Sequence, residues 1–217
     1  MREAPKHNPF VLGFLKVTAW IPAMIFFKPK VYYMDRKQQG KKLPKPCILM
    51  SNHTSLMDFV LYLILFPWRT IRFLMAEVLF RKGKLFAWFL RSLGGLYVDR
   101  EGMSFDFVSH SLEILEQKGT IGIFPQGRLP VGGKPFPFKP SISYIAMRCD
   151  APIVPVYTDG NYGLFQRTHV MIGTPITLPP VEEKDLTKEN YDRLTAWLQE
   201  REDELRLELE RRMKKEK

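Results

Sequence analysis

From Phe10 to Phe27 the chain reads FVLGFLKVTAWIPAMIFF, an apolar run interrupted by Lys16 and Pro22 and followed at once by Lys28 and Lys30. Crossing a bilayer takes about 20 apolar residues, and a lysine near the middle with a proline soon after makes a crossing costly. The pattern predicts a helix, or two short helices broken at Pro22, lying in a membrane interface with Trp20 and the flanking lysines at headgroup depth. A buried core helix and a true span are the alternatives. No small-residue cleavage site follows, so a secretory signal is not expected.

Beyond a lysine- and proline-rich connector, Lys41 to Pro46, short apolar runs alternate with segments of helical period. Strands are predicted near Cys47–Met50, Arg72–Met75, Leu96–Val98, Ile121–Phe124, Ile153–Tyr157 and Val170–Ile172. Helices are predicted near Met57–Phe66, Lys84–Leu93, Ser104–Gln117 and Pro140–Cys149. A last helix begins at Thr187, a capping residue, and places Tyr191, Leu194, Leu198, Leu205 and Leu209 on one stripe, with a charged and solvated face opposite. The alternation predicts an α/β fold: a single domain with a mixed, mostly parallel sheet covered by helices. Three segments follow, the N-terminal helical part with its connector (1–46), the core (47–180) and the amphipathic C-terminal helix (181–217).

Charge sharpens the picture at the N-terminal end. The net charge is +10, and residues 1–50 carry ten basic against two acidic side chains. A basic half meets an anionic partner, either a nucleic acid or the headgroups of a cytoplasmic leaflet. The apolar run beside it favours the membrane. Cys47 and Cys149 sit apart in apolar stretches, which points to a reducing compartment and no disulfide. His7, His110 and His169 have no acidic or cysteine neighbours at ligand spacing, so no metal and no role is assigned to them.

The first predicted strand ends in Ser51-Asn52-His53-Thr54-Ser55-Leu56-Met57-Asp58, a polar cluster where strand gives way to helix, and such ends are where α/β folds build sites. If the turn is tight, Asp58 reaches one ring nitrogen of His53 and leaves the other free to take a proton. That is half of a hydrolase triad with no protein nucleophile beside it; the substrate's own hydroxyl would be activated instead. Helix capping alone accounts for the same residues.

The chain resembles the lysophosphatidic acid and glycerolipid acyltransferase family, its bacterial phosphatidic acid-forming group in particular, over roughly residues 45–178. The first signature is met by Asn52, His53 and Asp58. The second is met by Gly95-Leu96-Tyr97-Val98-Asp99-Arg100. The third, Phe-Pro-Glu-Gly-Thr-Arg in the family, is met in part by Phe124-Pro125-Gln126-Gly127-Arg128-Leu129. Phe138-Lys139-Pro140 and Ile153-Val154-Pro155-Val156 follow in order. Where many members carry lysines before a Glu-Leu pair, this chain has Met75-Ala76-Glu77-Val78-Leu79.

The resemblance implies that His53 is the general base, oriented by Asp58, that Asn52 and Gly127 belong to the substrate-binding set, and that Arg100 holds the substrate phosphate with Arg128 and Lys139 nearby. Arginine suits that work because its planar fork binds phosphate through two parallel bonds. Gln126 would position a glycerol hydroxyl without the family's negative charge. It marks either a subfamily that tolerates glutamine or a weakened, lipid-binding chain. Arg81, Lys82 and Lys84 form either a contact for a donor's phosphopantetheine or a membrane-facing loop. Phe73, Phe80, Phe86, Trp88 and Phe89 are either core or an acyl-chain wall. The implied reaction is acyl transfer from acyl-CoA or acyl-carrier protein, as co-substrate and with no cofactor, to lysophosphatidic acid. It is expected at the cytoplasmic face of the cell membrane, with lysophospholipid, acyl thioester, an anionic surface and acyl carrier protein as partners and no nucleic acid.

Overall fold

The computed structural model describes residues 7–98, 106–179 and 181–216. Helix α1 (Pro9–Thr18) is started by Asn8, whose side chain accepts from the backbone N–H groups of Phe10 and Val11. Helix α2 (Trp20–Phe27) follows after a bend of 53°. The break falls at Ala19, not at Pro22 as the sequence suggested. Pro22 has no N–H to return to the Thr18 carbonyl, so the chain breaks ahead of it and the proline settles into the first turn of α2. Leu12, Ala23 and Phe27 turn inward, while Phe10, Phe14, Val17, Ile21 and Ile25 stay exposed. Among the described residues no single helix is long and apolar enough to cross a membrane; the bent pair together passes on length and composition.

Lys16 faces the protein. Its ammonium donates to the carbonyls of Pro67 (3.0 Å) and Arg69 (2.5 Å), just past the end of α3 (Asp58–Leu65). Desolvation lowers its pKa from the usual lysine value.

Among the described residues seven strands form one sheet: β1 (Lys30–Tyr33), β2 (Cys47–Ser51), β3 (Ile71–Ala76), β4 (Leu96–Val98), β5 (Thr120–Ile123), β6 (Ile153–Thr158) and β7 (His169–Ile172), in the order β1-β7-β6-β2-β5-β3-β4. All neighbours are parallel except β6 and β7. The sheet is thus mixed and mostly parallel. β1 escaped the sequence reading because four residues, Lys30-Val31-Tyr32-Tyr33, show no period. It draws the N-terminal segment into the sheet of the core, with Lys30 in register with His169.

The strands of a mostly parallel sheet covered on both faces should be apolar throughout, and all five residues of β2 are buried. Cys47 and Leu49 face one core layer with Phe27, Tyr62, Phe73 and Leu90, under α2, α3 and α5 (Lys84–Ser92). Ile48 and Met50 face the other with Ile121, Ile142 and Leu198, under α6 (Asp106–Glu116), α7 (Ser141–Ala146) and α8 (Lys188–Lys215). A short helix, α4 (Glu77–Phe80), follows β3. Each large side chain buried this way contributes about 1.5–3 kcal/mol.

Helix α8 begins at Thr187, which accepts from Asn190 N–H, and buries Tyr191, Thr195, Leu198, Leu205 and Leu209. Cys47 is buried and Cys149 half-buried, both are free thiols, and burial pushes both pKa values up.

Candidate active site

β2 is the central strand, and its C-terminal end carries the site. Asn52 continues the strand's work with its side chain: Nδ2 donates to the Thr158 carbonyl (2.8 Å), and Oδ1 accepts from Thr158 N–H (2.9 Å). Both ends of the amide are therefore engaged by the last residue of β6. Held in this way, Asn52 fixes where the following turn begins.

The turn is tight, as the reading of His53 required. His53 Nδ1 lies 2.7 Å from Asp58 Oδ2, and Asp58 is fully buried at the start of α3. The same Oδ2 accepts from the backbone N–H of Thr54 (2.7 Å) and Ser55 (2.9 Å). Oδ1 accepts from Thr54 Oγ1 (2.8 Å) and from the Tyr162 hydroxyl (2.5 Å). Burying a carboxylate is costly unless hydrogen bonds replace its water, and these five do so. With a carboxylate on Nδ1, that nitrogen carries the ring proton and Nε2 presents its lone pair. Among the described residues no serine, threonine or cysteine is hydrogen-bonded to Nε2.

The imidazole is also held by its face. It stacks on Phe124 with ring centroids 4.3 Å apart and planes 13° off parallel, and Phe124 stacks in turn on Phe73 at 5.4 Å. Phe124 was legible as part of the third signature, but its role was not.

From Phe124 the chain makes a turn closed by Gly127 N–H donating to the Phe124 carbonyl (2.9 Å). Gly127 adopts φ +66°, and a Cβ there would approach the Lys139 stem to 3.2 Å. Glycine is thus needed for both the left-handed backbone and the lysine lying across it. Lys139 N–H donates to the Pro125 carbonyl at 2.9 Å, which fixes that crossing. Arg128 is exposed, its guanidinium 4.7 Å from the Phe136 ring centre.

Gln126 turns the other way. It is buried, and its Nε2 donates to Glu202 Oε1 of α8 at 3.1 Å. Glu202 sits on the buried stripe between Leu198 and Leu205, where the sequence reading had left only a solvated charged face. Burial, with Asp203 adding to it, pushes the Glu202 carboxyl up to about 8. Gln126 Oε1 and Glu202 Oε2 are both buried without a partner among the described residues. A protonated Glu202 carries the donor that Gln126 Oε1 lacks. The amide expected to meet a glycerol hydroxyl is therefore engaged by the C-terminal helix.

A cavity of about 270 Å3 opens beside His53. Its walls are mostly apolar, from Phe59, Met75, Leu79, Phe86 and Leu90, and His53, Gly127 and Arg128 stand on its lining. Lys139 lines an adjoining cavity with Phe124 and Gly127. Of the aromatic residues weighed as an acyl-chain wall, Phe86 lines the cavity. Phe73 and Phe80 are core, Phe89 is half-buried against it, and Trp88 is exposed. Arg81, Lys82 and Lys84 are all exposed, and Arg81 pairs with Glu77. Asp99 and Arg100 of the second signature lie outside the described residues.

Two polar residues were missed altogether. Tyr162, which reaches Asp58, comes from the loop after β6 with no local pattern to mark it. His169, read as having no acidic neighbour, bonds Asp159 through Nδ1 at 2.7 Å. Ten residues separate them in sequence, and the antiparallel pairing of β6 with β7 closes that gap.

A family model described as Acyltransferase matches residues 30–159, which takes in β1 to β6 and the His53–Asp58 turn. The 1-acyl-sn-glycerol-3-phosphate acyltransferase of Saccharomyces cerevisiae is 26% identical over 196 residues, covering 82% of this chain and 63% of that protein. The human 1-acyl-sn-glycerol-3-phosphate acyltransferase beta is 27% identical over 155 residues, covering 70% of this chain and 55% of that one. The chain thus spans less than two thirds of the length of these relatives. The crystal structure of the 1-acyl-sn-glycerophosphate (LPA) acyltransferase PlsC from Thermotoga maritima superposes with a TM-score of 0.60 over 90% of this chain and 77% of that one, at 22% identity, a likeness of fold. With the model match covering more than half of its length, the chain belongs to the acyltransferase family.

Proposed function

We propose that this chain transfers a fatty acyl group from the thioester of acyl-CoA or acyl-carrier protein to the free hydroxyl of lysophosphatidic acid, forming phosphatidic acid. The observation that carries this reading is a buried His53–Asp58 pair with Nε2 free of any protein nucleophile, at the mouth of an apolar cavity with Arg128 on its lining and Lys139 beside it.

The lipid phosphate sits on Arg128 and Lys139, which places the glycerol hydroxyl beside His53; the family resemblance assigns Arg100 to the same phosphate. Nε2 takes the hydroxyl proton as the oxygen bonds to the thioester carbonyl carbon. The tetrahedral intermediate collapses, the carbon–sulfur bond breaks, and the proton passes from His53 to the leaving thiolate. Backbone groups at the Gly127 turn stabilise the oxyanion. General-base catalysis of this kind contributes about 10²- to 10⁴-fold. Gln126 does not argue for an inactive, lipid-binding chain, because its side chain is engaged away from His53.

The chain works at the cytoplasmic membrane surface with its helix pair in the interface. Phe10, Phe14, Val17 and Ile21 on the pair, with Leu85 and Trp88 on α5, expose apolar side chains, and Asn8 N–H on the Ser92 carbonyl (3.3 Å) ties the two parts together. Lys16, bound to the carbonyls beyond α3, does not oppose that seat.

The test is thiol release and phosphatidic acid formation from lysophosphatidic acid and acyl-CoA, read by mass spectrometry, with His53→Ala and Asp58→Asn alongside. Product from the parent and a loss of at least about 100-fold in both variants is expected. Ester formed as fast by His53→Ala as by the parent would refute the reading.

A further inference from the structure

The loop between β6 and β7 brings Tyr162 onto the site from 104 residues away. Its hydroxyl donates to Asp58 Oδ1 at 2.5 Å, on the oxygen that does not face His53. Burial and the Asp58 charge raise the Tyr162 pKa, so the phenol stays a donor at any working pH. Thr54 Oγ1 shares that oxygen. Together they stop the carboxylate from turning about its Cβ–Cγ bond, and Oδ2 stays on the imidazole.

The loop that carries Tyr162 is itself braced. Asp159 accepts from Asn161 N–H (3.1 Å) and His169 N–H (3.0 Å), and Thr168 Oγ1 donates to the Asn161 carbonyl (2.8 Å). Gly160, at φ +69°, leaves only 2.7 Å between a would-be Cβ and Thr54 Oγ1, so the loop is pressed onto the His53–Asp58 turn where a side chain has no room.

On the far side the Tyr162 ring meets Phe27, the last residue of α2, edge to face at 5.1 Å and 87°. Phe27 is fully buried, its carbonyl accepts from Thr168 N–H (2.9 Å), and Lys28 Nζ donates to the Leu164 carbonyl. The end of the helix pair and the catalytic carboxylate therefore hold one side chain, the first by its ring and the second by its hydroxyl.

We propose that Tyr162 is a positioning residue for the His53–Asp58 pair and that Phe27 sets its ring, so that the seating of α2 is felt at the carboxylate. This rests on His53 acting as general base. Tyr162→Phe keeps the ring on Phe27 and removes only the hydroxyl; Phe27→Leu keeps the hydroxyl and removes the aromatic edge.

The experiment is steady-state transfer by the full chain, with lysophosphatidic acid in phosphatidylglycerol-containing vesicles and acyl-CoA as donor, and circular dichroism to count the folded fraction. Tyr162→Phe is expected to lower kcat about 10- to 100-fold per folded molecule at unchanged KM for both substrates, as misplacement of a reacting group does. Phe27→Leu is expected to lower it in the same sense by less. A parental kcat for Tyr162→Phe, or a loss accounted for by the unfolded fraction, overturns the proposal. If the parent itself makes no ester, it is the acyl-transfer reading that fails. The coupling is then read from the His53 Nδ1 proton resonance, which Tyr162→Phe should move; an unmoved resonance overturns it.

Discussion

His53 lies flat on Phe124, 4.3 Å between ring centres, so a residue of the third signature supports the proposed base of the first. The ring contact and the Asp58 bond fix the imidazole about two different axes. Phe124→Leu keeps an apolar side chain of similar bulk and loses the flat support. We expect kcat to fall about 10-fold with KM little changed, since an imidazole free to tilt spends less time aimed at the hydroxyl. A stability loss of about 1–3 kcal/mol, read by urea titration, should accompany it.

Glu202 makes stability depend on pH. Its carboxyl titrates near 4.5 in the unfolded chain and is pushed up to about 8 in the folded one. Between those values the unfolded chain has given up a proton that the folded chain keeps. The stabilising contribution is therefore complete below about pH 4.5 and is lost as pH rises through about 8, at roughly 1.4 kcal/mol per unit. Glu202→Gln removes the titration and still supplies a donor for Gln126 Oε1. Scanning fluorimetry should show the parent's melting temperature declining from pH 5 to pH 8 relative to the variant, with the variant the more stable at pH 8.

Arg128 and Lys139 should bind phosphate and leave chemistry alone. Arg128→Ala and Lys139→Ala are each expected to raise KM for lysophosphatidic acid about 10-fold, the scale of one charged hydrogen bond, while KM for acyl-CoA holds. Added salt should weaken the parent more than either variant. Steady-state kinetics at two ionic strengths reads both effects.

The exposed face of the helix pair should set vesicle binding. Phe14→Asp and Ile21→Asp alter side chains that are 60% and 63% exposed, so the fold is expected to survive both. Sedimentation with anionic vesicles should drop sharply in each, and activity on detergent-dispersed substrate should persist. Lys16→Met, by contrast, should cost stability by leaving the carbonyls of Pro67 and Arg69 without a donor.

The sheet and the dyad were legible in the sequence because both are written locally. An apolar run such as Cys47–Met50 followed by a polar cluster reads as a strand leading into a site, and His53 and Asp58 are close enough for one turn to join them. Residues whose meaning depends on distant partners were not legible. Tyr162 looks like loop filler until β6 and β7 place it over α3. Glu202 looked solvated within a charged helix, although the period running through Thr195, Leu198, Leu205 and Leu209 passes through position 202 and turns it toward the core. Asn52 and Gln126 lie in signatures and were read as touching substrate. Their amides are instead engaged by Thr158 and Glu202, which sequence spacing does not disclose.

The dyad is attached to the middle strand of seven, with neighbours hydrogen-bonded along both edges and covering layers above and below. The amides of such a strand exchange with solvent only when the whole domain opens, whereas edge strands such as β1 and β4 fray at far lower cost. Heat or denaturant should therefore leave the His53–Asp58 turn folded until the cooperative transition, while turnover declines earlier as β1 and the helix pair loosen from Tyr162.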